Sequence, residues 1–202
     1  MYFVLSYLPN PVSSWPEPNA LASACRGVGL EFLDGVLRGW DKSDLAAWLT
    51  GPYHRVTQRR GERVTDPAVL TDQNLVAVER LEELLLRARV EVVTTLSEAS
   101  RSGGSIAFVG EAIRRGGILP TRTADDADAW APVDVLRMRL TERVLSLFAV
   151  DYLIRPVDYT SDLLACLACG AVAFDASARS SGTCRAHRRP SGINFSAVAH
   201  VA

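Results

Sequence analysis

The sequence predicts a mainly α-helical protein with a small β module at its C-terminal end. Three observations predict it. Two long stretches place apolar residues on one face at helical spacing. Glycine and proline punctuate the chain at intervals that leave room for four to six helices. Beyond residue 156 the composition changes to small residues, a short apolar run and paired cysteines, which divides the chain into a helical body over 1–155 and a tail over 156–202.

A chain of 202 residues, 48% hydrophobic and 22% charged, is long enough to bury one sizeable core with a small appendage stabilised in some other way. The net charge of -1 gives no global electrostatic case for nucleic acid or an anionic membrane, so such a partner would need a local patch. The opening MYFVLSYLPNP has no basic region, and Pro9 and Pro11 cut its apolar run short, unlike a secretory signal. The expectation is a cytoplasmic protein without a membrane partner. In that reducing compartment paired cysteines serve as metal ligands or redox groups more often than as disulfides.

Element by element, the first ten residues suit a short alternating strand, and 9–19 hold four prolines around Trp15 and read as a loop. Val28, Phe32, Leu33, Val36 and Leu37 mark a short amphipathic helix. Asp41 or Ser43 caps a second that runs to Leu49 and is stopped by Gly51 and Pro52. The arginine-rich 52–66 reads as a loop or hairpin. From Asp66 and Pro67 the clearest helix carries Leu75, Val78, Leu81, Leu85, Ala88, Val92 and Leu96 on one stripe and ends at 101–104. A shorter helix spans 105–115, and TADDADAWAP reads as an acidic loop. Pro132 then opens the second long helix through Val133, Leu136, Leu140, Val144 and Leu147, apolar nearly all round after Val144, and Pro156 terminates it.

The tail carries the chemistry. Cys166 and Cys169 form CxxC with Gly170 directly after; fourteen residues later Cys184 and His187 form CxxH. Tetrahedral zinc needs four nitrogen or sulfur donors, and a two-residue spacer lets both ligands of a pair face one ion from a tight turn. Glycine after the second cysteine tolerates positive φ, which turns backbone N–H groups toward the thiolates. A thioredoxin-type redox pair should open a helix, whereas AVAF after Cys169 is strand-like. With AVAF as a strand and ASARSSG as a turn, a hairpin would return the second pair to the first, and this layout resembles the zinc-ribbon class. The resemblance covers the tail alone and implies a fold but no activity.

Four ligands leave no open position for water, three thiolates blunt Lewis acidity, and no glutamate flanks either pair, so a structural zinc is expected. His54 reads as a solvated loop residue and Cys25 as a buried thiol. Asp125, Asp126 and Asp128 lack the glycine and glutamate of a calcium loop. Arg185, Arg188 and Arg189 form a basic run that a rigid zinc module could present to phosphate.

Three functions follow as expectations. The first is a non-enzymatic interaction or regulatory protein that docks on a protein partner or larger assembly, with Trp15 and Trp40 as exposed-looking aromatics. The second is a transcription-associated regulator. Two long helices, the acidic segment between them and the following CxxCG module are similar to the DksA/TraR family, which implies contact with RNA polymerase; the intervening helix and the CxxH pair depart from that pattern. The third is an enzyme built around Glu111, Asp151 or Asp158.

Overall fold

The computed structural model describes residues 15, 17–57, 80–101, 107–134, 138–166 and 168–187, with only the backbone of Arg185. The strand expected over the first ten residues, the start of the helix expected from Asp66, and Arg188 and Arg189 lie outside the described residues.

The first helix, α1 (Pro18–Leu37), is much longer than the sequence suggests. Proline occupies its first turn, where the missing N–H has no intrahelical partner to lose, so Pro18 begins the helix instead of belonging to a loop. Leu21, Cys25, Val28, Phe32, Leu33 and Val36 are buried along one stripe at three- and four-residue spacing. After a turn at Gly39, Asp41 caps α2 (Lys42–Trp48): its carboxylate accepts from the Ser43 and Asp44 amides, and Asp44 accepts from the Asp41 amide.

Gly51 and Pro52 do not stop the chain. It widens into a π-helical turn (Leu49–Tyr53) and continues into α3 (His54–Val56), because the wider turn absorbs the proline ring and its missing N–H. Trp40, Trp48, Tyr53 and Phe32 pack together with centroids 5.0–6.3 Å apart. Trp40 and Trp15, expected on the surface, are half-buried against the core.

Helix α4 (Leu81–Arg101) turns Leu85, Ala88, Val92 and Leu96 inward as the stripe predicts, and α5 (Ala107–Arg114) follows. The acidic loop and the Pro132 helix start are both corrected. Strands β1 (Ile118–Arg122) and β2 (Asp128–Pro132) form an antiparallel hairpin with Pro120 opposite Trp130 and Ile118 opposite Pro132. Asp126 sits at the turn with φ 61°, a conformation aspartate tolerates better than most residues. Pro132 ends a strand, the Val133 amide bonds back to Gly117 O at 2.8 Å, and the helix α6 (Leu140–Ile154) starts only at Leu140.

Helix α6 is buried over most of its circumference and packs chiefly on α1. The two approach closely where Gly29 faces Phe148; a Cβ at Gly29 would meet the ring at 2.8 Å. Pro156 follows the end of α6 as expected and opens the short α7 (Pro156–Ser161). The chain then forms β3 (Leu163–Ala165), β4 (Val172–Phe174), α8 (Ala176–Ser181) and a 3-10 turn (Arg185–His187). Among the described residues no helix is long and apolar enough to cross a membrane.

Candidate metal centre

The tail departs from the expected ribbon. Strand β4 pairs antiparallel with β3, which precedes the first cysteine pair, so CxxC sits at the tip of the hairpin and not before it. ASARSSG, expected as a turn, is the helix α8, capped by the Asp175 carboxylate on the Ser177 and Ala178 amides and ended by Gly182. This helix, with the 3-10 turn after it, returns Cys184 and His187 to the hairpin tip.

At that tip the Cys166 amide donates to Ala171 O at 2.8 Å and the Gly170 amide to Cys166 O at 2.7 Å. Gly170 holds φ 66°, the left-handed geometry that L side chains disfavour. Backbone N–H groups of Cys184, Ala168 and Cys169 reach the Cys166 sulfur, and that of Ala171 reaches Cys169. Burial raises the Cys166 thiol, but these donors outweigh it and bring it down to about 6, in the range of thiols poised to ligate.

The four predicted ligands come together. Cys166, Cys169, Cys184 and His187 place one donor atom each within 4.8 Å of all the others. Cys169 Sγ lies 3.9 Å from Cys184 Sγ, and His187 presents Nδ1 at 3.9 Å from Cys166 Sγ and 3.2 Å from Cys184 Sγ. A tetrahedral ion with bonds of about 2.3 Å to sulfur and 2.0 Å to nitrogen requires donor separations of about 3.5–3.8 Å. The cluster meets that spacing closely enough for small side-chain rotations to complete it, and so it can hold a metal ion.

Two arginines that sequence reasoning passed over tie this tip to the body. Arg89 of α4, 8% exposed, donates through Nη2 to Gly170 O at 2.6 Å and through Nε to Leu33 O of α1 at 3.3 Å. Burial lowers its pKa while the neighbouring Cys169 and Asp34 favour its charge. Arg179 of α8 donates to Ser100 Oγ at 2.8 Å and Leu163 O at 3.2 Å. The signal for Arg89 was present: it falls on the inward stripe of α4 between Leu85 and Val92, where a charge needs a partner.

The expected enzyme carboxylates are engaged elsewhere. Asp151, fully buried, accepts from Arg26 Nε at 2.7 Å, Tyr159 Oη at 2.8 Å and Arg155 Nε at 2.9 Å; Arg26 Nη2 also reaches Asp158 Oδ2 at 2.6 Å. The Arg26 guanidinium stacks 4.0 Å above the Phe174 ring of β4. Burial, then the Asp151 charge, pushes the adjacent Cys25 thiol far up, so Cys25 is an inert core thiol as expected. Glu111 pairs with Arg114 and Arg115 on the surface. His54 is exposed, though on α3 and not in a loop, and Asp125, Asp126 and Asp128 sit around the hairpin turn, where Asp126 and Asp128 meet Arg122. Compared with known proteins, the chain matches no family model, no curated protein and no solved structure.

Proposed function

We propose that this protein is a non-enzymatic interaction or regulatory protein whose tail is stapled by a structural zinc ion. The observation that carries the reading is the closed donor set: three sulfurs and one imidazole nitrogen within 4.8 Å of one another. Sulfur and nitrogen donors at tetrahedral spacing favour zinc over calcium, magnesium or manganese, which take oxygen ligands. When bound, zinc supplies a fixed cross-link and no open position for substrate. Three thiolates donate enough charge to weaken it as a Lewis acid.

The chain's own residues support the same reading. Asp151 and Asp158, two of the carboxylates weighed as enzyme groups, are bound to guanidinium groups, which holds them as structural anions. The hairpin tip, α8 and the 3-10 turn carry little apolar burial of their own, and a metal fixes such a segment rigidly. In this reading the stapled tail is the surface that a protein partner or larger assembly meets.

Metal content by mass spectrometry tests it, on untagged protein beside Cys166→Ser and Cys184→Ser. About one zinc per chain in the wild type, lost in both variants with a fall in Tm, is the expected result. Cobalt substitution then separates structural from catalytic: the visible spectrum of a four-ligand site stays unchanged on adding azide. Wild-type protein without zinc, or a cobalt spectrum that shifts with azide, overturns the reading.

A further inference from the structure

Arg89 stands out among the buried charges. It lies on the inward stripe of α4, where leucine or methionine would pack without desolvating a cation, yet among the described residues no carboxylate lies within ion-pair distance of it. Its hydrogen-bond acceptors are two backbone carbonyls, Leu33 O on α1 and Gly170 O on the metal-site turn. A Cβ on Gly170 would sit 3.3 Å from Nη2, so the guanidinium is seated directly against that turn.

The turn is the one that sets the ligands. Gly170 follows Cys169 immediately, and its amide closes the loop on Cys166 O at 2.7 Å. A hydrogen bond that pins the Gly170 peptide therefore fixes the direction in which the two sulfurs point. Charge supplies the second half of the argument: zinc with three thiolates and a neutral imidazole carries a net charge of about −1, and a buried cation beside Cys169 neutralises it.

We propose that Arg89 is the positioning residue of the metal centre, holding the Cys166–Gly170 turn in liganding geometry, and that it transmits metal occupancy to the packing of α1 on α4. This rests on the metal reading above. Coupling of this kind is reciprocal: whatever metal affinity Arg89 provides, metal returns as stability of the Leu33–Arg89 junction. Arg87, paired with Glu83 on the exposed face of the same helix, supplies the internal control.

The experiment is zinc competition against a chromophoric chelator, after wild-type loading has been established. Arg89→Met, which keeps the stem volume, is expected to weaken zinc about 10–100-fold, the usual cost of removing an outer-shell partner, and to shift the cobalt visible bands. Arg87→Met, on the exposed face of the same helix, is expected to leave both within threefold of wild type. Hydrogen exchange on the wild-type chain with and without chelator is the second arm and needs no variant. Chelation is expected to speed exchange at residues 33–37 and 85–92. Arg89→Met competing like wild type, or exchange at those residues unmoved by chelation, overturns this inference while leaving the metal reading intact. Failure of the wild type to load zinc removes the metal reading itself.

Discussion

The helical body and the stapled tail reach order by opposite physical routes. In the body, α1 lies against α6 with Phe32, Leu33, Leu147, Phe148 and Val150 nearly or wholly excluded from solvent, and each such side chain contributes roughly 1.5–3 kcal/mol by leaving water. Past Tyr159, the described part of the tail buries little more than Leu163, Leu164, Cys166, Val172 and Ala178. It relies on polar directionality instead: four converging donors, the Gly170 turn, and the guanidinium groups of Arg89, Arg179 and Arg26 pressed against carbonyls or a ring. Burial is proportional to area and tolerant of direction. Ligation and hydrogen bonding depend on angle, so the two regions should fail differently under mutation.

The largest expected effect is in the body. Phe148→Ala empties the seat against Gly29 and should cost about 3–5 kcal/mol in chemical denaturation, while the folded fraction keeps its metal stoichiometry. Loss of metal from folded Phe148→Ala protein would show that the two regions are one cooperative unit. An intermediate effect belongs to the tail. Gly170→Ala places a side chain at φ 66° and against Arg89, costing roughly 1–2 kcal/mol, and this should appear in zinc competition. Equal destabilisation of metal-loaded and metal-stripped protein would break the comparison.

The smallest effect lies on the surface of the body. Hydrogen bonds from Arg114 and then Arg115 hold the exposed Glu111 carboxyl down at about 2, against an ordinary 4.5. A depressed carboxylate favours folding above its ordinary value and loses that contribution as pH falls toward its folded value. Glu111→Gln should therefore lower Tm only slightly at pH 7, with the difference closing between pH 4.5 and 2. A large drop at pH 7 would mark this ion pair as part of the core.

The ligands were legible in the sequence because metal geometry forces spacing: CxxC and CxxH leave few other readings. The stripe of α4 was legible for the same kind of reason, since one face alternates with water. What surrounds the ligands was harder. The β1–β2 hairpin hid because Pro120 and the acidic DADA run carry little strand preference, and the pairing depends on residues up to fourteen apart, Ile118 with Pro132. Pro132 matched a helix start equally well as a strand end. Helix α8 was missed because serine and alanine in ASARSS suit either turn or helix, and the Asp175 cap decided it. Asp151 was a single charge inside an apolar run and Arg89 a charge on an apolar stripe, and that mismatch signals a buried partner without saying which.

The pairing of α1 with α6 also sets a timetable for the growing chain. Arg26 and its partner Asp151 are 125 residues apart, and Gly29 waits for Phe148 over nearly the same interval. At about 5–20 residues per second, roughly 6–25 s of translation separate the emergence of the first helix from that of the surface it packs on. During that interval the stripe of Leu21, Val28, Phe32 and Leu33 faces water or a chaperone, so the nascent chain is most prone to aggregate before α6 has been made.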